Sequence, residues 1–447
     1  MLKKVVCSAV FVFISINVVH ANYWDDIGYT DLENELGTNI PTGAGLAGSQ
    51  IEAPDGNGDY APDTTLSEFD GKTFSYESGD SGVSSHATTV GKYYYGNSSS
   101  PAPDMNTVHL YEANNYIGSG FLNNGASSAP NTEENDFQNH SWVGDDGTES
   151  DNEEILQRFD LSINNDNYLG ATGLNNGGTT SGNPLLGSNY NGISVGRSDG
   201  GHASGDTSDG RQKPEIVAPL GATSYATPLV AASGAMLKET AIDNGWSRGK
   251  NSETLKSILM SGATKDEFDW NATSANNMDE TFGAGELNIQ RSYHIMDGGE
   301  YEPGSSLPLK GWDFSNMVAG GTETYNFNIS EGLDELAVAL TWNRDVTFTD
   351  ETGLNYTIES ALEDFTLQLI NDDTGTAEFT SDSLVDNTEY MYVESLSAGD
   401  YSFKVSSKGE TGNDVDYSLS WYGVVPEPTT FIYMLSGLIF FVLTRRR

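Results

Sequence analysis

Ser224 lies in the stretch GATSYATPLVAASG (221–234), where Gly221, Ala222, Thr223, Ala226 and Thr227 keep its surroundings small. Pro228 and an apolar run to Leu237 follow, a pattern that predicts the start of a helix. A serine hydroxyl acts as a nucleophile when its Oγ is exposed, a base can take its proton and donors await the oxyanion. A helix N-terminus supplies unpaired backbone N–H groups and a favourable dipole for that charge. Small neighbours let a substrate carbonyl approach the backbone, and Pro228 is tolerated in the first turn, where its missing N–H is not needed. Small residues at a helix start also serve tight helix packing, so local chemistry leaves both readings open.

The base must come from elsewhere in the chain. Apart from His20, the histidines are His86, His109, His140, His202 and His294. His86 lies in SGVSSHATTVGKYYYG, where small residues again surround one titratable group and an apolar stretch follows. The others sit in NTVHLYE, QNHSWVG, GGHASGD and RSYHIMD, contexts with less to single them out.

TSYATPLVAA is similar to the serine motif of the subtilisin-like serine peptidases (subtilases), in which Thr-Ser-x-Ala-x-Pro opens the central helix. SHATTVG resembles their histidine motif, and KPEIVAP (213–219) resembles the segment that shortly precedes the serine. ATGLNNGG (171–178) resembles the segment that carries the oxyanion-hole asparagine, and YNGISVG fits the strand after it. HSWVG (140–144) corresponds to a strand that binds the substrate backbone, and FGAGELNIQRS to the end of the domain. These matches run in unbroken order through roughly residues 40 to 295.

The resemblance implies an α/β fold, a largely parallel sheet with helices on both faces, and a serine endopeptidase acting on peptides or proteins. It assigns Ser224 as nucleophile, His86 as general base and then acid, and Asn175 as side-chain donor to the oxyanion beside the Ser224 N–H. Asn176 is the competing donor. Ser141, Trp142 and Val143 would line the substrate cleft, Trp142 as a pocket wall. The family's aspartate motif appears as GSQIEAPDGNGD, with Glu52 in the acid's slot and Asp55 three residues later. LAGSQIEA reads as a strand ending near Glu52, where open α/β sheets gather functional groups, so Glu52 is the expected acid of the triad. The chain departs from the family at Ala222 and Ala87, where glycine is usual, at Thr89, where a second histidine is usual, and in the compressed APLGATS.

The remaining sequence sets the context. With 65 acidic and 21 basic residues the net charge is -44, which argues against nucleic acid as a partner. Residues 1–21 carry Lys3 and Lys4, an apolar run from Val5 to Val19 and VHA, the pattern of a removable signal peptide. Cys7 falls inside it, so the mature chain is expected to lack disulfides. At the other end Pro426-Glu427-Pro428, a short apolar run and Arg445 to Arg447 together resemble the PEP-CTERM sorting signal. In that family an exosortase-type enzyme recognises and cuts the tail during export, after transient inner-membrane anchoring.

Residues 22–298 are expected to form the catalytic domain, 299–424 a β-sandwich domain and 425–447 the sorting tail. The sandwich follows from period-two alternation at Tyr325, Phe327 and Ile329, at Phe365, Leu367 and Leu369, and at Tyr401, Phe403 and Val405. DGGEYEPGSSLP (297–308) reads as the linker. DGNGDYAPD imitates the opening of a calcium loop at Asp55, Asn57 and Asp59, but position 12 is Leu66, so a polar turn is favoured. No cofactor is required by the chemistry; structural Ca2+ remains open, with no site assigned. Between the signal and the first strand lie only residues 22–45, which leaves no prodomain in view. Together with Glu52 in the acid slot, this keeps an alternative: a catalytically inactive subtilase-like protein serving as a surface or matrix-binding module.

Overall fold

The structure is a computed structural model that describes residues 22–144, 148–178, 185–266, 268–351 and 355–426. The expected signal peptide and the tail from 427 onward lie outside the described residues. In chain order the first region contains helices α1 (Tyr23–Asp26) and α2 (Tyr29–Leu36), strands β1 (Ala47–Glu52) and β2 (Thr73–Tyr76) and helix α3 (Ser85–Tyr95). Strand β3 (Thr107–Glu112), the short α4 (Ala113–Asn115), β4 (Phe137–His140), α5 (Glu149–Asp166), β5 (Leu169–Gly173) and β6 (Ile193–Arg197) follow. Two-residue strands β7 (Gly205–Asp206) and β8 (Gln212–Lys213) precede β9 (Ile216–Ala218), α6 (Thr223–Asp243), α7 (Ser252–Ser261) and α8 (Ile289–Gly298).

Seven of these strands form one sheet in the order β2-β3-β1-β4-β5-β6-β9, and every neighbouring pair is parallel. A parallel sheet needs cover on both faces. Strand β3 alternates accordingly: Val108 and Leu110 enter the core shared with α6, while Tyr111 enters a separate core with Ile155, Phe159 and Ile163 of α5. Helix α6 is apolar nearly all round because it is buried between sheet and helices. The α/β sheet covered on both faces is thus the fold expected from the sequence.

The C-terminal region is all β, also as expected. Its strands are β10 (Lys310–Met317), β11 (Thr322–Ile329), β12 (Leu333–Trp342), β13 (Asp345–Glu351) and β14 (Asn355–Ala361). They continue with β15 (Phe365–Asn371), β16 (Thr376–Ser381), β17 (Thr388–Leu396), β18 (Gly399–Ser407) and β19 (Val415–Val424). Two four-stranded antiparallel sheets, β10-β19-β12-β17 and β11-β18-β15-β16, face one another. The alternating residues Tyr325, Phe327, Ile329, Phe365, Leu367, Leu369, Phe403 and Val405 enter one core with Leu336, Val338 and Leu340 of the opposite sheet.

The outer face of the first of these sheets is buried too. Ala337, Ala339, Tyr390 and Trp312 belong to the same apolar core as α6, α7 and α8. All ten residues of α7 are buried, and its Ser257 and Ser261 meet Ser418 and Ser420 of β19 at 3.0 and 2.7 Å. Arg344, after β12, reaches Asp160 of α5 at 2.6 Å and lies 4.2 Å over the ring of Tyr190. The segment read as a linker is stitched down: Tyr301 N–H donates to Trp312 O, Gly304 N–H to Thr324 O and Leu307 N–H to Asn326 O. A shared core explains this, since a free spacer would leave α7 and β12 exposed to water. Among the described residues no helix is long and apolar enough to cross a membrane.

Candidate active site

The expected site residues converge at the C-terminal ends of the parallel strands, where loops leave the sheet. Glu52 is the last residue of β1 and is completely buried. His86 stands in the first turn of α3, whose N-cap Ser84 accepts from the Ala87 N–H at 3.3 Å. His86 Nδ1 meets Glu52 Oε2 at 2.7 Å. Gln50 holds the carboxylate from below, its Nε2 donating to Glu52 Oε1 at 2.9 Å and to the Ala87 carbonyl at 2.9 Å. With the Nδ1 proton committed to Glu52, the lone pair sits on Nε2, the atom a general base uses. The His86 side chain is 42% exposed, so its other face is open to solvent.

Both members of this pair are shifted upward, for different reasons. Burial raises Glu52 above its ordinary carboxylate range, and the bond to His86 offsets part of that. The hydrogen bond from Glu52 raises His86, because the carboxylate stabilises the imidazolium. A proton taken up by His86 is therefore favoured, which suits a base that must hold one during reaction.

Ser224 is the second residue of α6. Its Oγ donates to the Ser141 carbonyl at 3.3 Å, and no hydrogen bond joins it to His86 in this structure. The ring of the adjacent Tyr225 lies 6.1 Å from the His86 ring, so the start of α6 does face His86. Ser141 Oγ in turn donates to the Ser224 carbonyl at 2.9 Å. The helix begins at Thr223, so Pro228 falls beyond the first turn, later than the sequence suggested. A residue there would normally donate its N–H to the carbonyl of Ser224, four residues earlier. Pro228 has none, and Ser141 supplies the missing donor.

Helix α6 has no side-chain cap of its own at Ala222. Asn176 provides a remote one: its Oδ1 accepts from the Thr223 N–H at 3.0 Å. This fixes the Asn176 side chain beside Ser224. Asn175, the residue preferred from sequence, offers its backbone carbonyl to Ala203 N–H at 2.7 Å. The Asn176–Thr223 contact was not legible in the sequence, because the way a Gly/Asn loop lies depends on what it packs against.

The strand end after β4 supplies Ser141, Trp142 and Val143. Ser141 touches Ser224 as described. Trp142 is 8% exposed and packs near His140 at a ring distance of 6.1 Å, in an apolar cluster with Leu185. Val143 is exposed at the edge. Trp142 is thus a wall of the fold's interior, with Val143 the accessible member.

The other histidines are occupied differently. Burial pushes His140 down to about 3 and also lowers His202, whose two ring nitrogens meet Arg197 N–H and the Thr281 carbonyl. His109 pairs with Glu77 and His294 with Glu35, each at 3.0 Å. His20 lies outside the described residues. Asp55 serves its own turn: its Oδ1 accepts from the N–H groups of Asn57 and Asp59 at 2.7 and 3.1 Å. Among the described residues no group of three or more His, Cys, Asp or Glu is gathered to hold a metal ion. Gln50, which holds the Glu52 carboxylate, is the member of this cluster that sequence reading missed. Its signal was present, since Gln50 and Glu52 are two polar residues on one face of a parallel strand that is buried on both faces.

No family model matches the chain, and no curated protein matches it at a significant level. Among solved structures it is similar to the prenylagaramide maturation protease PagA, at 19% identity over 60% of this chain and 98% of that one, with a TM-score of 0.40. It is also similar to proteases from Pseudoalteromonas arctica, at 13% identity over 61% of this chain and 97% of that one, with a TM-score of 0.44. A cold adapted subtilisin-like serine proteinase aligns at 17% identity over 56% of this chain and 90% of that one, with a TM-score of 0.38.

Proposed function

We propose that this protein is an exported serine endopeptidase of the subtilisin-like type. The observation that carries the reading is the 2.7 Å bond between buried Glu52 and half-exposed His86, facing a serine at the start of a central helix. Ser224 Oγ attacks the peptide carbonyl while His86 Nε2 takes its proton. Glu52 stabilises the imidazolium that results. The oxyanion is held by the Ser224 N–H, which at the second helical position has no intrahelical acceptor, and by a side-chain amide. That amide is assigned to Asn176 rather than Asn175, because Asn176 is the one anchored to Thr223. His86 then returns the proton to the leaving amine, and a water repeats the cycle to release the acyl group. Ser141 and Val143 border the acyl side of the substrate.

The signal-like N-terminus and the PEP-CTERM-like tail support export to the cell surface or beyond, with an exosortase-type enzyme removing the tail. Mass spectrometry of surface-released protein is expected to lack Arg445 to Arg447; their presence would indicate a plain anchor. For catalysis, a fluorophosphonate probe is expected to label the mature protein, and Ser224→Ala to abolish labelling. A protein that stays unlabelled would instead be the inactive surface or matrix-binding module.

A further inference from the structure

Five aromatic side chains that the mechanism does not use run in contact away from His86. The Tyr225 ring lies 6.1 Å from His86 and 6.0 Å from Tyr93. Tyr93 meets Tyr23 edge-on at 5.7 Å, Tyr23 lies 4.7 Å from Trp24, and Trp24 lies 4.5 Å from Tyr29. None of the five is fully buried. His86 and Tyr93 are seven residues apart on α3, two helical turns, so they share one face and aim the stripe along it. At the far end a cavity of about 350 Å³ opens beside Trp24, Tyr29 and Glu33.

We propose that this stripe is a subsite for the leaving-group side of an extended peptide, which it holds by stacking aromatic or arginine side chains on Tyr225, Tyr93 and Tyr23. The inference rests on the peptidase reading. Two features choose the occupant. The stripe begins beside His86, the residue that protonates the leaving amine, which places it next to the leaving-group side of the scissile bond. Its ring-to-ring steps of 6.0 and 5.7 Å also approach the ~6.6 Å between same-face side chains of an extended strand, so alternate substrate residues meet successive rings. The flanking Glu33 and the chain's net charge of -44 add a preference for arginine over acidic side chains at the outer end.

The test uses the Ser224→Ala protein, which binds without turnover, and calorimetric titration with the peptides Ala-Phe-Ala-Phe and tetra-alanine. The aromatic peptide is expected to bind about tenfold more tightly. Adding Tyr93→Ala is expected to erase that preference, and Tyr93→Phe, which keeps the ring and the fold, to retain it. Equal affinity for the two peptides, or a preference that survives Tyr93→Ala, overturns the proposal. Fluorophosphonate labelling of the unsubstituted protein tests the peptidase reading separately, so failure of one is not mistaken for failure of the other.

Discussion

Ser141 and Ser224 hold each other through two hydrogen bonds, Ser141 Oγ to the Ser224 carbonyl at 2.9 Å and Ser224 Oγ to the Ser141 carbonyl at 3.3 Å. The first of these exists because Pro228 withholds the N–H that would otherwise occupy that carbonyl. The strand end after β4 is thereby fastened to the first turn of α6, the helix that carries the proposed nucleophile.

Ser141→Ala is expected to cost about 1 kcal/mol of stability, since a half-buried carbonyl loses its donor. Adding Pro228→Ala restores an N–H to the same carbonyl. The double substitution should therefore lose less than the sum of the two single changes, read from denaturation midpoints as a double-mutant cycle. Strictly additive losses would show that the two residues do not compete for one acceptor.

Glu52→Gln is expected to cut turnover by about 10⁴-fold, because a carboxamide neither fixes the tautomer nor stabilises the imidazolium. Asp55→Asn should leave turnover nearly intact, as Asp55 serves only its own loop. The pH profile gives a second readout. His86 must be neutral to act as base, so the rate rises with pH as His86 loses its proton. Glu52 raises His86 above its ordinary 6.5, which puts the half-maximal rate above that pH, and Glu52→Gln should move it down. An unshifted profile in the variant would separate Glu52 from the base.

Asn176→Ala is expected to lower kcat by about 10²–10³ with little change in KM, the signature of a lost oxyanion donor. Asn175→Ala should be much milder. The reverse pattern in steady-state kinetics would return the role to Asn175.

Arg344→Ala is expected to destabilise the whole chain by about 3–5 kcal/mol, because Asp160 is left buried without its cation. Arg344→Lys should recover only part of this. A lysine cannot bridge Asp160 and Glu153 as a fork or lie flat over Tyr190. Thermal unfolding followed by near-UV dichroism and by probe labelling should show one transition, because the two regions share a core. Separate transitions would show that the sandwich is an independent unit.

Periodicity and residue type alone determined much of this protein. Alternation at Tyr325, Phe327 and Ile329 and at Phe365, Leu367 and Leu369 specifies inward faces of strands, because a strand's side chains have a period of two wherever it is placed. The apolar run after Ser224 likewise specifies the buried body of a helix, from Ala226 to Leu237, because a helix apolar nearly all round must be enclosed. Contacts between segments far apart in the chain were decided only by the tertiary structure. Glu52 and His86 are brought together by the end of β1 and the start of α3, and nothing between them in sequence encodes 2.7 Å. Asn176 rather than Asn175 reaches Thr223 because of how its loop lies on α6. The 297–308 segment has a linker's composition, yet it is pinned because α7 is buried between α6 and α8 and a sheet that follows it in the chain. Burial by a distant partner leaves no local period, so these relationships exist only once the chain has folded.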